Sequence, residues 1–400
     1  MRLHHLVFLL TLVAARVAAA DLREGFAAAL ALNADLRGLE AQRGVVDARR
    51  GGANAFLPGA PAVSGSWRTT TFTQRRGYQE FEVGAEVPIW LPGEARALRG
   101  TAEAQGVQLE ARVRQARLTL AGEVRDAYWT WSASVAERDA ATARVNAARA
   151  LERDLARQVG AGNAPRADLL LATADLREAE GALRSANGAI RDAALAFRTL
   201  TGSDPTPGRP ETPAPAPTGD AALANLPAAA VARASAELAR AEQRLARIRD
   251  RANPTIFGGW RREREESGAD WLDRPVIGIR IPFGYEPLRN ERVATARAEA
   301  TAAEATLATV ARTLANADRR ARAQAEDAAA LASLAEARHR ALAEQVGLSE
   351  AAYRAGNLAF AEVVRVRGQL AAADAARRRA QVEGGRAASQ INQILGLEPR

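Results

Sequence analysis

The sequence predicts a mainly α-helical protein with a small membrane β part, laid out as a duplicated helix–strand–strand–long helix–helix unit. Three observations predict it. Hydrophobic residues make up 48% of the 400 residues but aromatics only 5%, and the alanine, arginine, glutamate and leucine that fill the gap are the composition of long helices. Similar segments recur in order at an offset of 193–194 residues. Two stretches in each half alternate apolar and polar residues with the period of a strand.

The N-terminus reads as a secretory signal. A basic Met1-Arg2 start, an apolar run from Leu6 to Val13 and Ala18-Ala19-Ala20 give a signal peptide over 1–20, cleaved before Asp21. No cysteine follows it, which argues against a lipid anchor there. No later stretch reaches the ~18 consecutive apolar residues of a spanning helix, so membrane residence requires a β-barrel.

The repeat sets the domain plan. Pro61–Trp67 resembles Pro254–Trp260 at an offset of 193, and Val83–Ile89 resembles Ile277–Phe283 at 194. Ala161-Gly-Asn163 recurs as Ala355-Gly-Asn357, and Leu200-Thr-Gly202 is answered by Ile394-Leu-Gly396. The first structural repeat is 21–202 and the second 220–400. The proline-rich segment 203–219 between them is expected to be an extended linker, neither helix nor strand.

Within each repeat a first helix is expected over 22–50 and 221–250. Strands are expected over 61–73 and 78–89, then over 254–265 and 270–283. Phe81, Val83, Ala85 and Val87 alternate with Glu80, Glu82, Gly84 and Glu86, while Ile277, Ile279 and Ile281 alternate with Gly278 and Arg280. This makes Glu80, Glu82, Glu86 and Arg280 candidates for a barrel lumen. Trp67, Tyr78, Trp90, Trp260 and Trp271 are candidate membrane-interface aromatics. The alternative is a small soluble sheet with an aromatic core. Prolines 88, 92, 282 and 287 end the strand pattern. Long helices follow, the first over 94–159 and roughly 100 Å long at ~1.5 Å per residue. Val113, Leu120, Val124, Tyr128, Trp131 and Val135 keep coiled-coil spacing, as do Ala300, Leu307, Leu314, Ala321 and Ala328. Turns at Gly162-Asn163 and Gly356-Asn357 lead to return helices over 165–200 and 359–395. Four strands cannot close a barrel alone, so a membrane sheet demands a homo-oligomer.

Chemistry is sparse. The 55 basic residues are all arginine, against 47 acidic ones, for a net charge of +8. The two signs interleave along helices, which reads as solvated faces and not as a nucleic-acid surface. With no cysteine, one methionine and three histidines, thiol catalysis and zinc-thiolate sites are excluded, and only His339 lies beyond the N-terminus. His339 is expected at the surface. Asp168 and Glu362 are paired carboxylates in repeat-equivalent places, with no histidine or phosphate loop around them. No catalytic site, metal site or cofactor is expected.

At this point the chain resembles the TolC family of outer-membrane efflux channels. The resemblance rests on the duplicated unit, on Val87-Pro-Ile-Trp-Leu-Pro-Gly93, on the two Ala-Gly-Asn turns followed by an acidic residue and an apolar helix, and on the Leu200-Thr-Gly202 and Leu395-Gly396 ends. Trp90-Leu-Pro-Gly93 is most similar to the heavy-metal branch. The resemblance implies a homotrimer with a 12-stranded β-barrel in outer-membrane lipid and a long periplasmic α-helical barrel. It implies a passive conduit for small solutes, metal cations or drugs, working with a periplasmic adaptor protein and an inner-membrane pump of the resistance-nodulation-division type. It implies a closed periplasmic entrance at Asp168, Tyr353 and Glu362, with carboxylate rings favouring cations. Leu358 stands where the family has a basic partner. Adaptor docking is expected at Ala161, Gly162, Asn163, Ala355, Gly356 and Asn357. The other readings weighed are a periplasmic adaptor with coiled-coil hairpins and a secreted enzyme.

Overall fold

The computed structural model describes residues 19–70, 77–216 and 226–399. The expected signal peptide thus lies outside the described residues except for its last two. Helices are α1 (Leu22–Leu32), α2 (Ala34–Ala53), α3 (Glu94–Gly160), α4 (Arg166–Thr201), α5 (Pro227–Ile248), α6 (Glu286–Arg354) and α7 (Phe360–Ile394). Strands are β1 (Ala19–Ala20), β2 (Ala62–Thr69), β3 (Gln79–Pro88), β4 (Asp204–Pro205), β5 (Thr255–Arg264) and β6 (Leu272–Arg280). The order of elements is the one the duplication predicts. Among the described residues no helix is long and apolar enough to cross a membrane.

Two expectations need correction. The first helix of the first repeat is two helices, because Asn33 takes an extended conformation (ψ 115°) that ends α1. Asp21 begins that helix with a reciprocal cap: its carboxylate accepts from the Glu24 N–H, and Glu24 accepts from the Asp21 N–H. The segment 203–219 is not a free extended linker. Its residues 204–205 pair in parallel with Ala19–Ala20, and its course is pinned further along. Ala20, the last residue before the expected cleavage point, is buried in this pairing.

The chain divides into two compact units that cut across the repeats. The first holds 19–34, 117–216 and 315–399. Its core joins Leu22, Phe26 and Ala29 to Leu120, Val124, Tyr128, Trp129 and Phe197. The coiled-coil positions Leu120, Val124, Tyr128 and Trp131 are all buried in it. Farther along α3, Val145 and Ala148 pack on Leu176 and Ala179, and Leu155 packs on Ala172 and Phe360. The linker is a strap across this unit. Gly208 N–H donates to the Tyr128 hydroxyl, and Arg125 makes a bidentate pair with Glu211 at 2.9 and 2.7 Å. Both charges are about 95% buried. Asn392 binds both Ala214 N–H and the Thr212 carbonyl.

The second unit holds 35–70, 77–116 and 226–314. Alanines 229, 232, 236 and 239 are buried on α5, small enough for close helix contact. Arg43 pairs bidentately with Glu110, and Arg240 Nε donates once to Glu304. This unit carries an antiparallel sheet in the order β2-β3-β5-β6, so the two hairpins lie side by side. β2 and β6 each pair with one neighbour, and the sheet does not close. Pro275 lies within β6, a position open to proline because β6 is at the edge.

Candidate functional site

Cross-strand partners in a sheet share a face, so the register sorts the side chains. One face carries Val63, Trp67, Phe81, Val83, Ala85, Val87, Ile256, Trp260, Ile277 and Ile279. Val63 and Ile277 are 81% and 85% exposed, a degree of apolar exposure that water does not favour. At the hairpin end Trp67 stacks on Phe81 (6.1 Å between centroids), and Phe81 meets Trp271. Arg262 and Arg264 lie over the Trp271 ring at 5.4 and 4.9 Å. Trp260 donates to Asp273 on the same face.

The opposite face is a ladder of ion pairs. Arg68 pairs with Glu80, Arg261 with Glu82, Arg274 with Glu263 and Arg280 with Glu86, at 3.0–3.2 Å. All four candidate lumen residues lie here, and the pairing leaves the face with no net charge. Arg68, Arg261, Glu263 and Arg274 were not anticipated. The signal was present, since the same alternation runs on through β5 with Trp260 on its apolar side. Tyr78 is a correction. Its hydroxyl donates to Glu80, which places it with the charged face and not at an apolar membrane boundary. Trp90 lies beyond β3, and its indole donates to the carbonyls of Ala55 and Phe56.

The second candidate site is where the long helices end. Gly162 and Gly356 both have φ 76°, the left-handed turn that lets the chain reverse after α3 and α6. In each turn the Asn N–H reaches back five residues, Asn163 to Gln158 and Asn357 to Ala352. Residues 161–163 and 355–357 are exposed, and a Cβ on either glycine would meet nothing within 4 Å. Near them the Tyr353 hydroxyl approaches Asp168 Oδ2 at 3.4 Å, joining α6 to α4. The Tyr353 ring packs on Phe360. Burial first, then the Asp168 charge, hold the Tyr353 hydroxyl above its ordinary pKa. Glu362 forms a bidentate pair with Arg365 one turn along its own helix, which holds its carboxyl below the usual range. The expected ring of free carboxylates at Glu362 is therefore answered by an adjacent cation.

His339 is not a plain surface residue. Its side chain is 27% exposed, with Nε2 3.7 Å from Asp374 Oδ1. It lines a cavity of about 470 Å³ with Arg144, Asp175, Glu350, Arg367 and Arg377. Asp374 also accepts from Arg377 and Arg378. Among the described residues no group of three or more His, Cys, Asp or Glu side chains is placed to hold a metal ion.

Comparison with known proteins agrees with this geometry. Residues 26–203 match the family described as outer membrane efflux protein. No curated protein matches the sequence. Among solved structures, a membrane protein from Pseudomonas aeruginosa superposes with TM-score 0.78 at 19% identity, covering 94% of this chain and 93% of that one. CusC superposes with TM-score 0.79 at 16% identity, with the same coverage. The outer membrane protein VceC from Vibrio cholerae gives TM-score 0.75 at 15% identity, over 94% and 96% of the two chains. At such identities the likeness is one of fold.

Proposed function

We propose that this chain, as a member of the outer membrane efflux protein family, is the channel subunit of a tripartite export system. Three copies would join their four-stranded sheets into one barrel, apolar outward and ion-paired inward, continued by an α-helical tunnel through the periplasm. One observation carries the reading: a sheet with open edges, one bare apolar face and one charged face is unstable in water but suits a shared membrane barrel. The duplicated long helices and the family match support it. The channel would be passive, fed by a periplasmic adaptor and an inner-membrane pump. The two Gly-Asn turns would be the adaptor's docking points, and the Tyr353–Asp168 contact would help to keep the entrance closed. CusC and VceC being structural likenesses only, the cargo class is left as small solutes.

Mass measurement in mild detergent tests the assembly. The expected result is a trimer that conducts ions in planar bilayers. A monodisperse soluble monomer of the mature chain would refute the channel.

A further inference from the structure

The internal duplication gives more than a family likeness. It supplies a coordinate transformation that can be checked and then applied. Moving first-hairpin residues onto the second shifts β2 by 193 and β3 by 194. Under that shift Val63↔Ala85 becomes Ile256↔Ile279, and Trp67↔Phe81 becomes Trp260↔Pro275. Both transformed pairs are observed, and so is Ala62↔Glu86 carried to Thr255↔Arg280. The duplication therefore preserves strand register to the residue.

The contact between repeats, β3 with β5, appears once in the chain. It pairs Val83 with Trp260, Ala85 with Gly258 and Val87 with Ile256. The same transformation carries β3 to β6 and β5 back to β2. Since β6 and β2 are the two edges of one sheet, the image of this contact joins β6 to β2 of a second copy. Resting on the proposed channel assembly, we infer that copies meet at a seam of defined register: Ile277 opposite Trp67, Ile279 opposite Gly65, and Arg280 opposite Ser64 of the next copy.

Two properties not used in deriving this register support it. The first is face. Along the seam from residue 277 on, Ile277–Trp67, Ile279–Gly65 and Ile281–Val63 would share the apolar face and Gly278–Ser66 and Arg280–Ser64 the other, with Val276 opposite Arg68 the exception nearer the hairpin end, whereas a one-residue slip would set Ile277 against the charged side. The paired edge residues include Val63 and Ile277, 81% and 85% exposed in the single chain. The second is closure. Stepping across partners, Val63 leads to Ala85, then Gly258, then Ile277, and the inferred pair leads to Trp67 of the next copy. The path climbs four residues per copy, hence twelve around three copies of four strands. With a rise of ~3.3 Å and a strand spacing of ~4.8 Å, equal shear and strand number give a tilt of about 35°. That falls in the range of roughly 35–45° found for closed barrels. Slips of two residues give roughly 20° or 46°, the first far outside and the second at the upper limit.

The seam differs chemically from the contacts within a chain. On the inward face Arg280 meets Ser64, and Gly278 meets Ser66, so no ion pair bridges copies there. Strand hydrogen bonds and the outward apolar pairs would hold the barrel together.

The chain has no cysteine, so engineered pairs read without background. Directly opposed residues place Cβ atoms about 4.5–5.5 Å apart, near disulfide reach. Gly65 has room, since a Cβ there meets only the Glu82 carbonyl at 3.9 Å. The full chain carrying Gly65→Cys with Ile279→Cys is oxidised in membranes and run without reductant. Most chains are expected as covalent trimers, reverting to monomer on reduction. Ser64→Cys with Arg280→Cys, on the opposite face, is expected to do the same. Gly65→Cys with Ile277→Cys or with Ile281→Cys, each slipped by two, is expected to link at least tenfold less. A slipped pair that links better than its aligned partner overturns the register, and so does a trimer by mass in which neither aligned pair links. A monomer by mass refutes the channel reading itself.

Discussion

If the proposed channel is closed at its periplasmic entrance by the Tyr353–Asp168 contact, removing one oxygen should loosen it. In Tyr353→Phe the ring stays against Phe360, 5.4 Å between centroids, and only the hydroxyl that meets Asp168 at 3.4 Å is lost. Length and partial exposure set this bond below the ~1.5–3 kcal/mol of a good hydrogen bond to a charged group, at about 0.5–1 kcal/mol. Three copies opening together would lose about 2 kcal/mol, and at ~1.4 kcal/mol per tenfold that is roughly a 30-fold rise in the open population. Opening frequency of single channels in planar bilayers is the assay. The sign of the pH dependence follows from the raised hydroxyl. A tyrosine whose pKa is raised in the closed state favours that state below its ordinary value near 10, and stops doing so as pH rises through the raised value. The wild type is thus expected to stay closed across about pH 6–9 and open more often above about pH 10, with Tyr353→Phe flat across that upper step. Equal opening frequencies in the two proteins at pH 7 would show that the contact is no latch.

Glu211→Ala strands Arg125 in a site where both side chains are about 95% buried, so a loss of about 3–5 kcal/mol is expected. It should appear as a lower melting temperature in detergent and faster proteolysis within 203–216, while Arg125→Met with Glu211→Leu should recover most of it. Gly162→Trp and Gly356→Trp place bulk where a Cβ meets nothing within 4 Å. Trimers should form in both, with adaptor crosslinking and efflux falling severalfold, and wild-type efflux in both would remove the turns as docking points.

Much of the fold could be read in the residues because duplication tests every local signal twice. The strand at Phe81–Val87 was legible from alternation alone, and β3 begins and ends within a residue of expectation. Long-range pairing was not legible. Glu80, Glu82, Glu86 and Arg280 could be assigned to one face, but their arginine and glutamate partners depend on register between strands. Tyr78 was misplaced because aromatic character said nothing of its parity, which puts it beside Glu80. The strap failed for a related reason. A run of prolines states that a segment is extended but not what it touches, and Arg125, Tyr128 and Asn392 lie far from it in sequence. His339 was read from its arginine neighbours along the helix, while its partner Asp374 comes from α7.

The duplication also shows where symmetry has been given up. In the sheet the two hairpins keep the same strand register, so in the proposed trimer they would stand in nearly equivalent positions around the barrel. At the entrance they do not. Tyr353 and Asp168 correspond, one repeat apart, to Val159 and Glu362. Valine cannot donate a hydrogen bond, and Glu362 is held by Arg365 instead. In the proposed trimer the tyrosine–carboxylate contact would therefore occur three times around the mouth, within each chain, with no counterpart between chains. Leu358, an apolar residue in the second turn, adds no charge that could replace it. The weak lines of the entrance would then run between copies, so that it opens with threefold symmetry, each chain's two hairpins moving as one body. Val159→Tyr with Arg365→Ala would supply the missing donor and free its acceptor. If the asymmetry governs opening, this double variant should lower opening frequency below wild type, opposite in sign to Tyr353→Phe. An unchanged or raised frequency would place the weak line elsewhere.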